Sequence, residues 1–209
     1  MKLDIIHMPS VWGTELKQKH ITVQERNNKL VVLFPGWNYP CELPLLYYAG
    51  NTALQQKYDV LKLEYGYQAA RTNLDKKDLP KVIDECYESI NRIITNYDKV
   101  IFISKSLGTI IAGEVHRRFE SNVYHIFLTP LVGTIPFINT SDGIVIYGGN
   151  DPSFTKDNAK QLDGSQKIIE IPDANHGLET GDVEENLSIL KNIVTTYKKI
   201  LMEWDLGRV

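Results

Sequence analysis

A chain of 209 residues with 43% hydrophobic and 23% charged residues has the composition of an ordinary soluble globular protein, which excludes a disordered or fibrous design. Its 23 Lys and Arg against 26 Asp and Glu leave a net charge of −3, and no basic block is dense enough to neutralise a row of phosphates. Nucleic acid is therefore not an expected partner. The basic segment KKDLPK at 76–81 is interrupted by Asp78 and preceded by Asp75, which makes it a solvated helix start.

The length suits one α/β domain over residues 1–209. The opening MKLDIIHMPSVWG is broken by Asp4, His7 and Pro9, too polar for a signal-peptide core, and no run approaches the roughly 18 apolar residues of a membrane helix. Cys41 and Cys86 lie far apart without a CxxC or Cys/His spacing. That suits free thiols in a reducing compartment, with Cys86 in the core. The expectation is a cytoplasmic protein with no membrane association. No dinucleotide fingerprint or metal-ligand cluster is present, so no cofactor and no metal are implied.

Residues 1–25, with LDIIHMP and KHITVQE, read as antiparallel edge strands. KLVVLFPG (29–36) is a short β-branched run closed by Pro-Gly, PLLYYAGNTALQQK can form a helix, and YDVLKLEYG (58–66) is a second strand closed by Gly. Leu79, Val82, Ile83, Cys86, Tyr87, Ile90, Ile93 and Ile94 recur at three and four, with Asp78 and Pro80 as start signals, and predict an amphipathic helix. KVIFIS (99–104) follows as a buried strand, 107–119 as a helix, and VYHIFLTP (123–130), GIVIYGG (143–149) and SQKIIEIP (165–172) as strands. In the last helix Val183, Leu187, Leu190, Val194, Tyr197 and Leu201 form a stripe that should cover one face of a sheet. Strands alternating with helices, several of them apolar throughout, predict an α/β fold with a mostly parallel sheet between helical layers.

In VIFISKSLGTIIAGEV (100–115) a serine stands where a buried strand meets a helix. Ser104-Lys105-Ser106-Leu107-Gly108 is a small-x-Ser-x-Gly pattern, the nucleophile elbow with Ser in place of the first Gly. A strand that turns straight into a helix crowds its neighbours, so the residues two before and two after the serine must be small. Ser106 then projects its hydroxyl outward, and the helix beginning at Leu107 aims free N–H groups at developing negative charge. The plainer alternative is a serine that merely caps the helix.

On this motif and the order of elements, the chain from about Lys29 to the last helix resembles the α/β-hydrolase family. The resemblance implies a Ser-acid-His triad in that chain order. Asp151, in IYGGNDP after a strand, stands where the family's acid usually sits, and His176, in DANHGLE between the last strand and the last helix, where its histidine does. His7, His20, His116 and His125 lie in segments that do not reach such a site. Among the competing acids, Asp142 precedes its strand, Asp157 and Asp163 fall on or after the next helix, and Asp173 suits a turn, which leaves Asp151 favoured and Asp157 in reserve. One oxyanion donor would be the Leu107 N–H. By resemblance the other is the amide of Trp37, since Gly36 matches the Gly of the family's His-Gly element, with Pro35 in place of its His.

The connection from Pro130 to Asp142 is too short for a helical lid, so the resemblance implies an open, capless site bounded by Thr129, Leu131, Val132, Ile135 and Phe137. Gly36, Tyr39 and Lys105 join Leu131 and Phe137 as candidate substrate-binding residues, with Lys105 at the site mouth favouring an anionic substrate, although a solvated lysine is the preferred reading. Tyr47 and Tyr48 are read as filling the sheet–helix interface. The expected activity is hydrolysis of a carboxylic ester or thioester, with a small-molecule acyl substrate as the partner. The alternatives are a non-catalytic domain that binds a ligand or protein, or an acyltransferase or peptidase on the same triad. The sequence carries no signal for an oligomeric state.

Overall fold

Runs such as KLVVLF and VYHIFL have no polar face, and a strand of that kind is stable only when both its faces are covered. The computed structural model, which describes residues 1–120, 122–164 and 166–208, shows how the chain does this. Eight strands form one sheet in the order β1-β2-β4-β3-β5-β6-β7-β8. They are β1 (Lys2–Pro9), β2 (Glu15–Thr22), β3 (Lys29–Phe34), β4 (Asp59–Lys62), β5 (Lys99–Lys105), β6 (Val123–Leu128), β7 (Gly143–Gly148) and β8 (Lys167–Ile171). β1 and β2 pair antiparallel at one edge, as the sequence suggests, β2 runs antiparallel to β4, and every pairing from β4 to β8 is parallel.

Helices cover both faces: α1 (Pro44–Gln55), α2 (Gly66–Ala69), α3 (Leu79–Asn91), α4 (Leu107–His116), α5 (Ile135–Ile138), α6 (Lys156–Ala159) and α7 (Val183–Asp205). α1 and α7 pack on the face that presents Val31, Leu33, Ile101, Ile103 and Ile126. α3 and α4 pack on the other, against Leu30, Val32, Phe34, Val100 and Phe102. Each such residue, fully removed from water, contributes about 1.5–3 kcal/mol of transfer free energy before conformational entropy is set against it. Cys86 is core, as expected, and Cys41 is buried as well.

Several expectations need correction. β4 stops at Lys62, and Gly66 opens the one-turn helix α2 instead of closing a strand. α4 stops at His116, because the chain turns there to lay Phe119 on the Tyr87 ring at 4.9 Å. α3 ends at Asn91, and Ile94 falls in a separate turn of 3-10 helix. Of the predicted 165–172 strand, Lys167–Ile171 is formed, and Ser165 lies outside the described residues. α7 does not bury the predicted stripe along its whole length. Val183 and Leu187 are 73% and 64% exposed, and Ile189, Ile193, Tyr197, Ile200 and Leu201 make the core contact. A helix of 23 residues is about 35 Å long against roughly 20 Å for the strands, so its first turns overhang the sheet. Tyr47 and Tyr48 also sit in solvent, because α1 turns Leu45, Leu46, Ala49 and Ala53 to the sheet instead.

Candidate active site

The carboxyl end of β5 delivers Ser106 directly into α4. Its backbone takes φ 53° and ψ −119°, a conformation that costs a non-glycine residue on the order of 1–3 kcal/mol. The Ser106 N–H donates to Leu128 O of β6 at 3.0 Å, and the Ser106 carbonyl accepts from the Thr109 N–H and hydroxyl, so the strain is held from both sides. Ser106 makes no side-chain capping bond to α4, which removes the helix-cap reading. The small flanking residues are used as the pattern requires. A Cβ on Gly108 would lie 2.4 Å from the Pro35 carbonyl oxygen, and Ser104 is fully buried with no partner for its hydroxyl among the described residues. The turn uses its size.

Two further loops converge on this serine. After β7, Asp151 is buried with its side chain fully covered, and its Oδ1 accepts the Ser153 N–H at 2.8 Å. Its Oδ2 lies 2.8 Å from His176 Nδ1, and His176 Nε2 lies 2.8 Å from Ser106 Oγ. The loop carrying His176 crosses so closely over the end of β7 that a Cβ on Gly148 would meet Ala174 O at 2.2 Å. The first Gly of GGND is therefore a crossing point as well as a turn residue. Asp157, the reserve acid, is an exposed partner of Lys160, and Asp173 sits in a turn at φ 58°. His125 and His116 bond each other at 2.9 Å inside the fold, as expected of structural histidines.

The loop after β3 passes on the other side. A Cβ on Gly36 would come within 3.5 Å of Ser106 Cβ, so this loop lies against the serine. Its carbonyls are gripped from α2 and the residue before it: Tyr65 Oη donates to Pro35 O at 2.8 Å, Tyr67 Oη to Trp37 O at 2.7 Å, and Gln68 Nε2 to Gly36 O at 2.9 Å. The Gly36 N–H is used within the loop, on Tyr39 O. Leu107, at the first position of α4, has an N–H with no intrahelical acceptor. Tyr65, Tyr67 and Gln68 are site residues that sequence reading missed, since LEYGYQ shows only strand-like and turn-like character. A cleft of about 600 Å³ adjoins the loop, lined by Trp37, Asn38, Leu63, Tyr67 and Gln68 among others, with Lys17, Lys19, Lys62 and Arg71 mixed with Glu42 and Glu64.

The expected substrate-binding side chains fare unevenly. Lys105 is neither solvated nor at the mouth: it is 2% exposed, and its Nζ donates to Thr129 Oγ1 and to His176 O, each at 2.9 Å. Tyr39 is half-buried under that ammonium, 4.9 Å from ring centre to Nζ, and its hydroxyl accepts the Leu45 N–H. Phe137 is buried against Gly113, in the middle of α4, with Arg117 over its ring, so it packs the fold instead of bounding the site. Its distance along α4 from the elbow was not visible in sequence, because the loop's course over the helix is a tertiary feature. Thr129 is likewise buried, and Ile135 packs on the Phe127 cluster. Leu131 is half-buried and Val132 exposed, on a loop that rests on the first turns of α4 through Thr134 Oγ1 and Thr109 Oγ1 at 2.6 Å.

Among solved structures, the chain superposes on a protein of unknown function from Agrobacterium tumefaciens with a TM-score of 0.77 at 12% identity, covering 98% of this chain and 97% of that one. A lidless α/β serine hydrolase from Xanthomonas campestris follows at 0.70 and 13%, over 98% and 95%. Est1E from Butyrivibrio proteoclasticus, in a complex with ferulic acid, gives 0.73 and 12%, over 96% and 99%. This is the α/β-hydrolase fold. No protein-family model and no curated protein matches the sequence. The β6–β7 connection holds only short helical turns. Among the described residues no helix is long and apolar enough to cross a membrane, and no group of His, Cys, Asp and Glu is placed to hold a metal ion.

Burial lowers the Lys105 pKa to about 8, against the opposing pull of Asp151 and Glu179. Between about pH 8 and 10.5 the unfolded chain thus binds a proton that the folded chain has given up, so this group's contribution to stability rises with pH across that window and is lost as pH falls towards 8. Urea denaturation of the protein and of Lys105→Met at pH 8 and pH 10 should show the parent gaining about 2 kcal/mol on the variant. The titrations of the cysteines and tyrosines are common to both proteins and cancel in the difference.

Proposed function

We propose that the protein is a serine hydrolase that cleaves a carboxylic ester or thioester through an acyl-enzyme. The observation that carries this reading is the unbroken chain Asp151 Oδ2–His176 Nδ1 and His176 Nε2–Ser106 Oγ, both links 2.8 Å, ending on a serine held at φ 53°. A serine hydroxyl is a weak nucleophile until a base accepts its proton. In this reading His176 Nε2 takes that proton as Ser106 Oγ attacks the carbonyl carbon, and buried Asp151 stabilises the imidazolium. The tetrahedral oxygen is held by the Leu107 amide and the Trp37 amide, the latter fixed because Gln68 Nε2 holds the Gly36 carbonyl at the opposite end of the same peptide unit. His176 then protonates the leaving alkoxide or thiolate. Water, deprotonated by the same histidine, attacks the acyl carbon and releases Ser106.

The lidless serine hydrolase and the ferulic acid complex of Est1E among the structural neighbours support an ester-cleaving reading and an acyl substrate of small-molecule size. Buried, unpaired Cys41 and Cys86 support a reducing, cytoplasmic setting. The reading is tested with p-nitrophenyl acetate and butyrate and with butyryl thioesters: turnover by the parent should fall by several orders of magnitude in Ser106→Ala, to the residual rate that the oxyanion donors and binding support. Equal turnover by the two proteins would refute it, and a parent inert to every ester and thioester would favour a ligand-binding domain.

A further inference from the structure

We propose that Lys105 is a positioning residue: from beneath the His176 loop, its ammonium ties the end of β5 to that loop and to the end of β6, and so sets where His176 stands between Asp151 and Ser106. The proposal rests on the serine-hydrolase reading for its kinetic consequence, but the contact itself does not depend on that reading.

The geometry is economical. Lys105 precedes Ser106 in the chain, so its backbone moves with the serine, while its Nζ holds the backbone carbonyl of His176 at 2.9 Å. A single side chain therefore links the residue next to the serine to the backbone of the histidine that must meet it. The second bond of Nζ, to Thr129 Oγ1 at 2.9 Å, fastens the same ammonium to the residue that follows β6, and Thr129 is fully buried at φ 42°. Such a backbone angle is rare for a β-branched residue and persists only where neighbours over-determine it. The Tyr39 ring faces the cation from the loop after β3, which brings a third element against it.

Burial makes the arrangement costly. An ammonium taken out of water loses solvation that contacts must return, and a methionine would fill much the same volume without that loss. No carboxylate lies within ion-pair distance of Lys105 among the described residues, so its hydrogen bonds go to a hydroxyl and a carbonyl. The rest of the loop is tied through Asn150 N–H to Ala174 O and by Leu178 in the core, on either side of His176. Lys105 is the group that reaches the backbone of His176 itself. Displacement of a catalytic base by about 1 Å is enough to cost on the order of 100-fold in rate.

The test compares the full-length parent with Lys105→Met, which removes both donor and charge, and Lys105→Gln, which keeps a donor without the charge. For p-nitrophenyl butyrate, kcat should fall 10- to 100-fold in Lys105→Met with KM changed less than twofold, and Lys105→Gln should recover part of the loss. Hydrogen–deuterium exchange should show faster uptake in peptides covering 173–180 in Lys105→Met, with peptides of β3 and α7 unchanged. A folded Lys105→Met with kcat within twofold of the parent and unchanged uptake in 173–180 would overturn the proposal. Should Lys105→Met not fold, Lys105→Gln decides it by the same two readouts. A parent that turns over no ester defeats the hydrolase reading instead, and the exchange comparison then still decides whether Lys105 holds the loop.

Discussion

Asp151→Asn should lower kcat for ester hydrolysis by about four orders of magnitude while leaving the fold in place. The replacement is isosteric, and the amide oxygen can keep the Ser153 N–H that Asp151 Oδ1 accepts at 2.8 Å. The amide nitrogen then faces His176 Nδ1, where a carboxylate oxygen stood at 2.8 Å. Two donors cannot share that contact, so Nδ1 must become the acceptor and the imidazole proton moves to Nε2. There it points at Ser106 Oγ, and the histidine that should take the serine's proton presents one of its own. The nearly complete burial of Asp151 leaves little room for water to restore the first tautomer. Steady-state kinetics with p-nitrophenyl butyrate, alongside a thermal melt, checks this, and a loss smaller than tenfold in a folded variant would contradict it.

The second large effect lies in the backbone. Gly108→Ala should destabilise the protein by about 3 kcal/mol, at the upper end of what overpacking costs, and lower its thermal midpoint by roughly 6–12 °C. The added methyl would meet Pro35 O at 2.4 Å and Phe34 O at 2.7 Å, and both obstacles are backbone at the end of central strand β3, with no rotamer to change. The chain can relieve the contact only by lifting the first turn of α4 away from β3. That also moves the Leu107 amide and Ser106, so the surviving folded protein should lose most of its kcat. Calorimetry and steady-state kinetics on the same sample would show both effects, and a variant with the parent's midpoint would show that the crossing is looser than described.

These two positions also show why much of the site could be read from sequence. Gly108 and Ser104 are dictated by steric crowding at a strand–helix turn, a local constraint that leaves a local pattern. Asp151 and His176 are placed by the resemblance to the α/β-hydrolase family, mapped onto strands and helices that apolar periodicity marks plainly, and the structure brings both to Ser106. The parallel sheet was legible for the same reason: β3, β5 and β6 are apolar on both faces. What could not be read depends on long-range geometry. Nothing in LEYGYQ announces that Tyr65, Tyr67 and Gln68 grip the carbonyls of a loop some thirty residues earlier. Lys105 has the residue type of a solvated side chain, and it is long-range packing against the His176 loop, Thr129 and the Tyr39 ring that encloses it. Phe137 has the character of a pocket wall, but Gly113 opens a notch in α4 that takes its ring. The overhang of α7, which leaves Val183 and Leu187 in water, follows from the length of the sheet beneath it and is not encoded in the helix's own periodicity.

The central claim is that Ser106 is an activated nucleophile, and a fluorophosphonate probe reads this without assuming a substrate. The parent should be labelled within minutes, with the adduct mapped by mass spectrometry to the peptide containing Ser106, and Ser106→Ala should not be labelled. A folded parent that stays unlabelled, or an Ser106→Ala variant that labels as fast as the parent, would contradict the account.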